Sequence, residues 1–514
     1  MPRSSTYRRR RATALAGLIA VAVVAAAAAG SLNGASDATP SIPRGAVVLD
    51  VSSATIGRPI PAGFVGFSIE YSSLYAYAGR DPAAINPTFV RLVQTVNPGG
   101  RPVLRFGGDT TDWSWWPIQG ATKPGGVRYA LTPEWAAVAR ATADAAGARL
   151  ILGLNLEADS GLVAGTEARE LLSRLGPQAV GAFELGNEPE VYGTIGWYND
   201  AAGRPVTGRP ATYDFGWFLH DFTTVGSALP ASVPLAGPAS GAPVWVRGVR
   251  RFLAADSRTG LVTYHFYPLR RCYTPSSSPV SPTLAHLLAL QAATLPADIR
   301  AAVQAAHARG LPLRLDELNS VSCKGQSGVS DTFASSLWAL DALFHMARAG
   351  VDGVNIHTLN DVPYEPFAFA DPGGHWQASV KPMYYGLLAF SRAAPPGSRF
   401  LATGIRHSVP GLRRWATRGP DGSVRLVLIN VSPHHPLVLA VRSPAPATGS
   451  ATLQRLTAPS LTATSGVSLD GQSYGATTTS GQLGGAAQPQ TLRPTDQRYV
   501  VSLPAASAAL VSWR

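Results

Sequence analysis

The sequence predicts an α/β protein in which a (β/α)8 TIM barrel precedes a C-terminal antiparallel β-sandwich domain. Three observations carry this. Eight short apolar runs between residues 64 and 358 are separated by segments with helical patterning. From about residue 395 the helical segments stop, and strand-like runs alternate with Gly, Pro, Ser and Thr. No G-x-G-x-x-G opens a helix, so the competing fold, a doubly wound open sheet, lacks its nucleotide-binding signature.

Taken in order, residues 1–36 read as a secretory signal. Arg8 to Arg11 precede an alanine-rich apolar run from Ala12 to Ala29, and small and polar residues follow. The adjacent arginines also permit the twin-arginine route. The run is about long enough to span a bilayer if it is not cleaved. A secreted or extracellular location is therefore expected, with a membrane anchor as the alternative. Residues 37–45 form a Ser/Pro linker. AVVLDVSSA, within 46–60, is an isolated strand expected to join the distant β domain, because first and last elements often lie together.

The barrel is expected over 61–394. Its strand candidates are FVGFSIEY (64–71), PVLRFGG (102–108), RLILGLNL (149–156), AVGAFELGN (179–187), VPLAGPA (233–239), LVTYHFYP (261–268), LPLRLDELN (311–319) and VDGVNIHT (351–358). Between them lie helical segments such as EWAAVARATADAAGA, introduced by Thr132 as a cap, Pro133 at the first helical position and Glu134 near the positive end. TEARELLSRLG, LAHLLALQAATLPADIRAAVQAAHARG and DTFASSLWALDALFHMARAG follow. In the β domain, expected over 395–514, RRWATRG, VRLVLINVS, LVLAVRS and RYVVSLPAASAALVSW read as strands, and about 458–490 as a long loop.

Composition narrows the function. With 514 residues, 46% hydrophobic and 14% charged, the chain is globular. Five of its 12 net positive charges come from Arg3 and Arg8 to Arg11. No arginine-rich run recurs, so nucleic-acid binding has little support. Only three of the 43 basic residues are lysines, Lys123, Lys324 and Lys381. No obligate protein partner is predicted.

Barrel active sites collect at the carboxyl ends of the strands. There the sequence offers Glu70 and Tyr71, then Arg105 and Asp109, then Asn155 and Glu157. Asn187 and Glu188 follow, then His265 and Tyr267, Asp316 and Glu317, and finally His357 and Asn360. The ring is polar, acidic and aromatic, with no thiol-and-histidine metal cluster; a His/Asp metal site stays open, although the acids outnumber the histidines. In FELGNEPE (183–190) Pro189 is expected to hold Glu188 extended at the strand end. Two glutamates, Glu188 after strand four and Glu317 after strand seven, match the hydrolysis of a glycosidic bond. That reaction needs one protonated carboxyl for the leaving oxygen and one ionised carboxyl to attack or to activate water. Glu188 is the candidate acid/base and Glu317 the candidate nucleophile. Arg105 and Tyr267 would keep Glu317 ionised, and Asn187 would bond a sugar hydroxyl. His265, Asp109, Asn155, Glu70 and Tyr71 are further candidate contacts. His357 reads as a satisfied barrel histidine. Trp113, Trp115 and Trp116 read either as a sugar platform or as a loop anchor.

These residues carry a resemblance. LRFGGDTTDW, LGLN, ELGNEP, VTYHFYP and ELNSVSCKGQSGVSDTFASSLWALD resemble glycoside hydrolase family 79, the family of heparanases and β-glucuronidases, within the large clan of retaining barrel glycosidases. The resemblance runs from about residue 46 to the end. It implies a barrel with a β-sandwich closed by an N-terminal strand, Glu188 as acid/base, Glu317 as nucleophile, retention of configuration, and no metal or cofactor. The implied partner is a carbohydrate, a β-linked glucuronide or related uronide. One departure bears on the sugar. Where the family has a tyrosine and glycine amides for the uronate carboxylate, this chain has Ser322, Cys323, Lys324 and Gly325. Lys324 could supply a point charge instead. The alternatives are a neutral sugar hydrolysed by the same mechanism, and an inactive carbohydrate-binding barrel. Cys272 and Cys323, in an exported chain, are expected to form one disulfide. They follow neighbouring strands, so the bridge would brace the loop that carries Lys324.

Overall fold

The computed structural model describes residues 41–444 and 449–513. The expected signal segment and the first part of the linker lie outside the described residues. Among the described residues, no helix is long and apolar enough to cross a membrane.

Eight parallel strands close into a barrel in chain order. They are Val65–Glu70, Val103–Gly107, Arg149–Leu154, Val180–Leu185, Leu235–Ser240, Thr259–Phe266, Leu313–Leu318 and Gly353–Thr358. All eight coincide with the predicted apolar runs. A strand buried on both faces has no polar side to show, so it reads as a continuous apolar run. The eighth strand pairs with the first, Val354 opposite Val65 and Thr358 opposite Ile69, which closes the ring.

The helices begin and end where their sequences say. Thr132 accepts a hydrogen bond from the Trp135 N–H, Pro133 starts the helix Pro133–Ala146, and Gly147 ends it in a left-handed conformation. Phe333–Ala349 ends likewise at Gly350. The expected long helix after the sixth strand is broken into Leu284–Leu288, Leu290–Ala293 and Ala297–His307. Ala289 turns extended at the first break, and Pro296, which cannot continue a helix from Thr294, sits at the second.

The strands of the β domain are joined in one continuous 11-stranded sheet. It wraps around its own core, in which Leu49, Leu401, Leu426, Leu439, Val501 and Val511 meet. The N-terminal strand Val47–Ile56 lies inside this sheet. It pairs antiparallel with Arg399–Ile405 and parallel with Leu437–Arg442. The 458–490 segment does not stay within the β domain. It returns to the barrel, where the N–H groups of Phe333 and Ala334 donate to Ala463 and Leu461, and Thr478 bridges Ala378. The segment is held there by these backbone hydrogen bonds and by Tyr474, whose ring packs on Tyr384 and Tyr385.

Candidate active site

Arg105, on the second barrel strand, is fully buried and forms the hub of the site. Its Nε lies 2.5 Å from Glu184 Oε2 and 3.0 Å from Asp316 Oδ2. Nη1 donates to Glu317 Oε2 at 2.8 Å and to Ser68 Oγ at 3.0 Å, and Nη2 donates to Asn187 Oδ1 at 2.9 Å. One guanidinium thereby joins groups from strands one, two, four and seven, which its planar fork of five donors allows and an ammonium would not. The glycines that follow make room for it. A Cβ on Gly107 would stand 2.8 Å from Arg105 Cζ, and left-handed Gly108 (φ +79) passes so close to Glu70 that a side chain would collide with its carboxyl.

Glu317 is 8% exposed at the end of the seventh strand. Tyr267 donates its phenolic O–H to Oε1 at 2.6 Å, while His357 Nδ1 and His265 Nδ1 stand 3.6 and 3.7 Å from Oε2. Burial opposes ionisation. The charges of His357, His265 and Arg105, with the Tyr267 hydrogen bond, outweigh it and hold the Glu317 carboxyl down at about 2. His357 is therefore more than a packed histidine: Ser68 Oγ lies 3.1 Å from its Nδ1, and it spans Glu70 and Glu317.

Behind Glu317, burial pushes Glu184 up to about 8 even against Arg105, and Asp316 adds to the rise. Asp316 shifts the other way. Although burial opposes its charge, Arg105 and Glu184 hold it well below the usual carboxylate range.

Glu188 follows the fourth strand. Its backbone is left-handed, φ 45 and ψ 54, not extended as expected. A following proline disfavours the right-handed helical region, and a positive φ is uncommon for any residue but glycine, so tertiary contacts hold Glu188 here. The Glu188 N–H donates to Ala239 O of the fifth strand at 2.8 Å, which holds the turn. Oε1 lies 3.0 Å from His265 Nδ1, and the side chain is 32% exposed, open to the cleft. One oxygen of Glu188, one of Glu317 and a nitrogen of His265 lie within 4.8 Å of one another. These donor types could also hold a cation. Here the histidine nitrogen is matched to Glu188, and Glu317 to Tyr267 and Arg105, as donor to acceptor.

The remaining candidates divide. Asn187 accepts from Arg105 through Oδ1, so its NH2 is the end left for a hydroxyl. Its backbone N–H is held by Asp112, which also accepts from the Tyr192 phenol. Asp109 opens to the cleft. Shielding by the surrounding protein, with Glu70 and Glu188 nearby, pushes it up to about 7. Burial, with Asp112 beside it, pushes Glu157 up to about 9. Glu70 accepts from the N–H groups of Asp109 and Thr110 and from the Thr110 hydroxyl, so it anchors the turn after strand two.

Two expectations are corrected. Tyr71 is buried, donates to Gly153 O at 2.6 Å and packs on Trp135, which makes it part of the barrel wall and not a sugar contact. Asn155 is fully buried and donates to Asp112 O and Ser114 O, both at 2.9 Å, latching two loops together. The tryptophans resolve as an anchor. Trp115 lies buried with Val127, Val163 and Trp197, and Arg128 covers the Trp113 ring at 3.7 Å.

Ser68, Asp112, Glu184 and Tyr364 escaped the sequence reading. Glu184 carried a signal, an acid inside an apolar strand. Tyr364, whose ring lies 6.5 Å from Tyr267 and 5.9 Å from His357, sits on an irregular loop and carried none. Cys272 and Cys323 are disulfide-bonded with Cα atoms 6.1 Å apart. A short parallel ladder, Leu269 to Val321 and Arg270 to Ser322, joins the same two loops. Lys324 stands exposed just beyond it.

With this geometry, the chain's relatives can be placed. Residues 414–510 match the Glycosyl hydrolase family 79 C-terminal beta domain. Similarity to a known protein extends beyond this domain. Beta-glucuronidase of Neurospora crassa is 24% identical over 442 residues, 76% of either chain. Among solved structures, the fold is similar to that of a 4-O-alpha-L-rhamnosyl-beta-D-glucuronidase from Fusarium oxysporum 12S. Its TM-score is 0.66 at 18% identity, covering 91% of this chain and all of that one. It is also similar to a GH51 arabinofuranosidase from Xanthomonas axonopodis pv. citri, with TM-score 0.62, 15% identity and the same coverage.

Proposed function

We propose that the chain is an exported, retaining glycoside hydrolase that cleaves β-linked glucuronic acid, or a related uronide, from glycosides or polysaccharides. The observation that carries this is the Glu188–His265–Glu317 group, with its ligand atoms within 4.8 Å. This proximity supports the spacing of about 5–5.5 Å used by retaining enzymes over the about 6.5–9.5 Å of inverting ones.

Glu317, ionised, attacks the anomeric carbon. The bond from that carbon to the leaving oxygen breaks, and the oxygen takes the proton of Glu188. A glycosyl ester remains on Glu317. Glu188, now a carboxylate, takes a proton from water, the water oxygen bonds to the anomeric carbon, and Glu317 is released as a carboxylate. Two displacements restore the starting configuration. Tyr267 and Arg105 stabilise the charge that returns to Glu317, and Asn187 orients a sugar hydroxyl.

The uronide preference draws support from the family-79 relatives and from the loop after strand seven. Cys323, Lys324 and Gly325 have φ of 61, 71 and 81 in succession. Such a turn can direct N–H groups toward an anion, with the Lys324 charge beside them. A neutral sugar is the second reading. It is favoured by the loop after strand seven, where Ser322, Cys323 and Lys324 stand in place of the family's tyrosine.

A panel of 4-nitrophenyl β-glycosides tests both readings. The expected result is turnover of the glucuronide, reduced on the order of 10⁴-fold by Glu317→Ala, with β-glucuronic acid released first by proton NMR. Release of the α-anomer first refutes the mechanism, and preference for a neutral glycoside refutes the uronide. Binding without turnover by the intact chain would leave the carbohydrate-binding alternative.

A further inference from the structure

Strands four and five part before they reach the site. Their ladder joins Phe183 to Leu235 and Glu184 to Ala236, whereas Glu188 comes later, beyond the end of strand four. Two hydrogen bonds draw the parted ends together there. The Glu188 N–H donates to Ala239 O at 2.8 Å, and the Gly241 N–H donates to Glu190 Oε1 at 2.6 Å. The first bond joins two residues with left-handed backbones, Glu188 at φ 45 and Ala239 at φ 53. Neither is a glycine, and such residues keep that conformation only where their surroundings impose it. The second bond is made by a side chain where a sheet would use a carbonyl.

Gly241 stands against the Glu188 carboxyl. A Cβ on it would come 2.7 Å from Glu188 Oε1 and 3.4 Å from Glu190 Oε1, so both carboxyls border the same backbone position. Gly241 is not left-handed, and its missing side chain therefore provides space rather than conformational freedom. The same Glu188 Oε1 lies 3.0 Å from His265 Nδ1. That ring is backed by Arg105, whose Nη2 lies 3.4 Å from His265 Nε2. Oε1 is thus set between a histidine and a glycine, and Oε2 is the oxygen left to carry the proton. Arg105 steadies the histidine wall of this slot, and Glu190 steadies the glycine wall.

We propose that Glu190 is a positioning residue for the acid/base: by accepting from the Gly241 N–H, it fixes the backbone against which the Glu188 carboxyl is aimed. This rests on the function proposed above, in which Glu188 protonates the leaving oxygen. Without the bond the end of strand five is free to shift, and Glu188 has room to turn from that oxygen. A misplacement of about 1 Å can cost on the order of 100-fold in rate. The loss falls on substrates whose leaving group needs the proton and spares those whose leaving group departs without it.

Phenyl and 2,4-dinitrophenyl β-glucuronides separate the two cases, because dinitrophenolate departs unprotonated. The readout is the ratio of kcat/KM for the dinitrophenyl compound to that for the phenyl compound. In Glu190→Ala the ratio is expected to rise on the order of 100-fold over the parent. Glu190→Asp keeps the charge but shortens the reach; it is expected to raise the ratio in the same direction and decides the matter if the alanine variant does not fold. Glu190→Gln keeps an oxygen that can accept from Gly241, and its ratio is expected to stay within about threefold of the parent. An unchanged ratio in the alanine and aspartate variants overturns the inference. So does a glutamine variant as impaired as the alanine one, which would make the role one of charge. Glu188→Ala is the control. If it raises the ratio and the Glu190 variants do not, this inference alone fails. If it does not raise the ratio, Glu188 is not the acid, and the proposed function fails as well.

Discussion

At the scale of single residues, the site is an exercise in opposing shifts. Two carboxyls of one strand end, Asp316 and Glu317, are held low, while Glu184 across from them is pushed up to about 8. The phenol of Tyr267 favours the ionised form of Glu317. Tyr267→Phe should therefore raise that pKa and move the acid limb of the kcat/KM profile to higher pH, while the basic limb stays in place; an unmoved acid limb would refute the role. Arg105→Met should be far more damaging. It leaves Asp316 and Glu317 as buried charges without their cation, a loss of about 3–5 kcal/mol, read as a lower midpoint in urea unfolding. Legibility at this scale was uneven. Arg105, Tyr267, Glu188 and Glu317 stood out because charged groups at strand ends need a reason to be there. Tyr71 and Asn155 stood at equivalent positions and turned inward. A strand end fixes where a side chain starts, and the neighbouring loops decide whether it faces the cleft or the wall.

At the scale of elements, the strands and helix caps were readable because each follows from local chemistry. Thr132, Pro133 and Gly147 mark one helix completely. Thr132→Ala should cost about 1 kcal/mol through loss of the cap to the Trp135 N–H, measurable as a small drop in melting temperature. The loops were not readable, because their partners lie far away in sequence. The loops after strands six and seven are joined twice, by a disulfide and by a two-residue ladder. Cys272→Ala/Cys323→Ala should lower stability by about 2–4 kcal/mol. If the loop carrying Lys324 contacts the sugar, it should also raise KM more than it lowers kcat. A change in stability with KM unmoved would make the bridge a brace alone.

At the scale of the whole molecule, the pattern of two architectures was legible from the switch in periodicity near residue 395. That the β domain is a single wrapped sheet was not, since strand runs alone do not say which edges meet. The balance of buried carboxyls sets a pH dependence for the entire fold. Glu157 and Glu184 have raised values of about 9 and about 8. Each binds a proton in the folded state that it would release in the unfolded one above about pH 4.3, so its contribution is complete below that pH and declines as pH rises through 8 to 9. Glu317, held at about 2, acts in the opposite sense: its contribution is present above about pH 4.3 and is lost as pH falls through 2. Melting temperature should therefore peak in mildly acidic buffer and fall steadily toward pH 9. A maximum at alkaline pH would contradict these assignments.

The strand Val47–Ile56 has one more consequence, in time rather than space. It is held by Arg399–Ile405 on one side and Leu437–Arg442 on the other. A ribosome adding about 5–20 residues per second needs roughly 20 to 70 seconds to make the stretch between the strand and its first neighbour. Throughout that interval the strand is a sticky edge with no partner, and whatever accompanies the nascent chain must keep it from pairing elsewhere. The β domain is begun first and finished last.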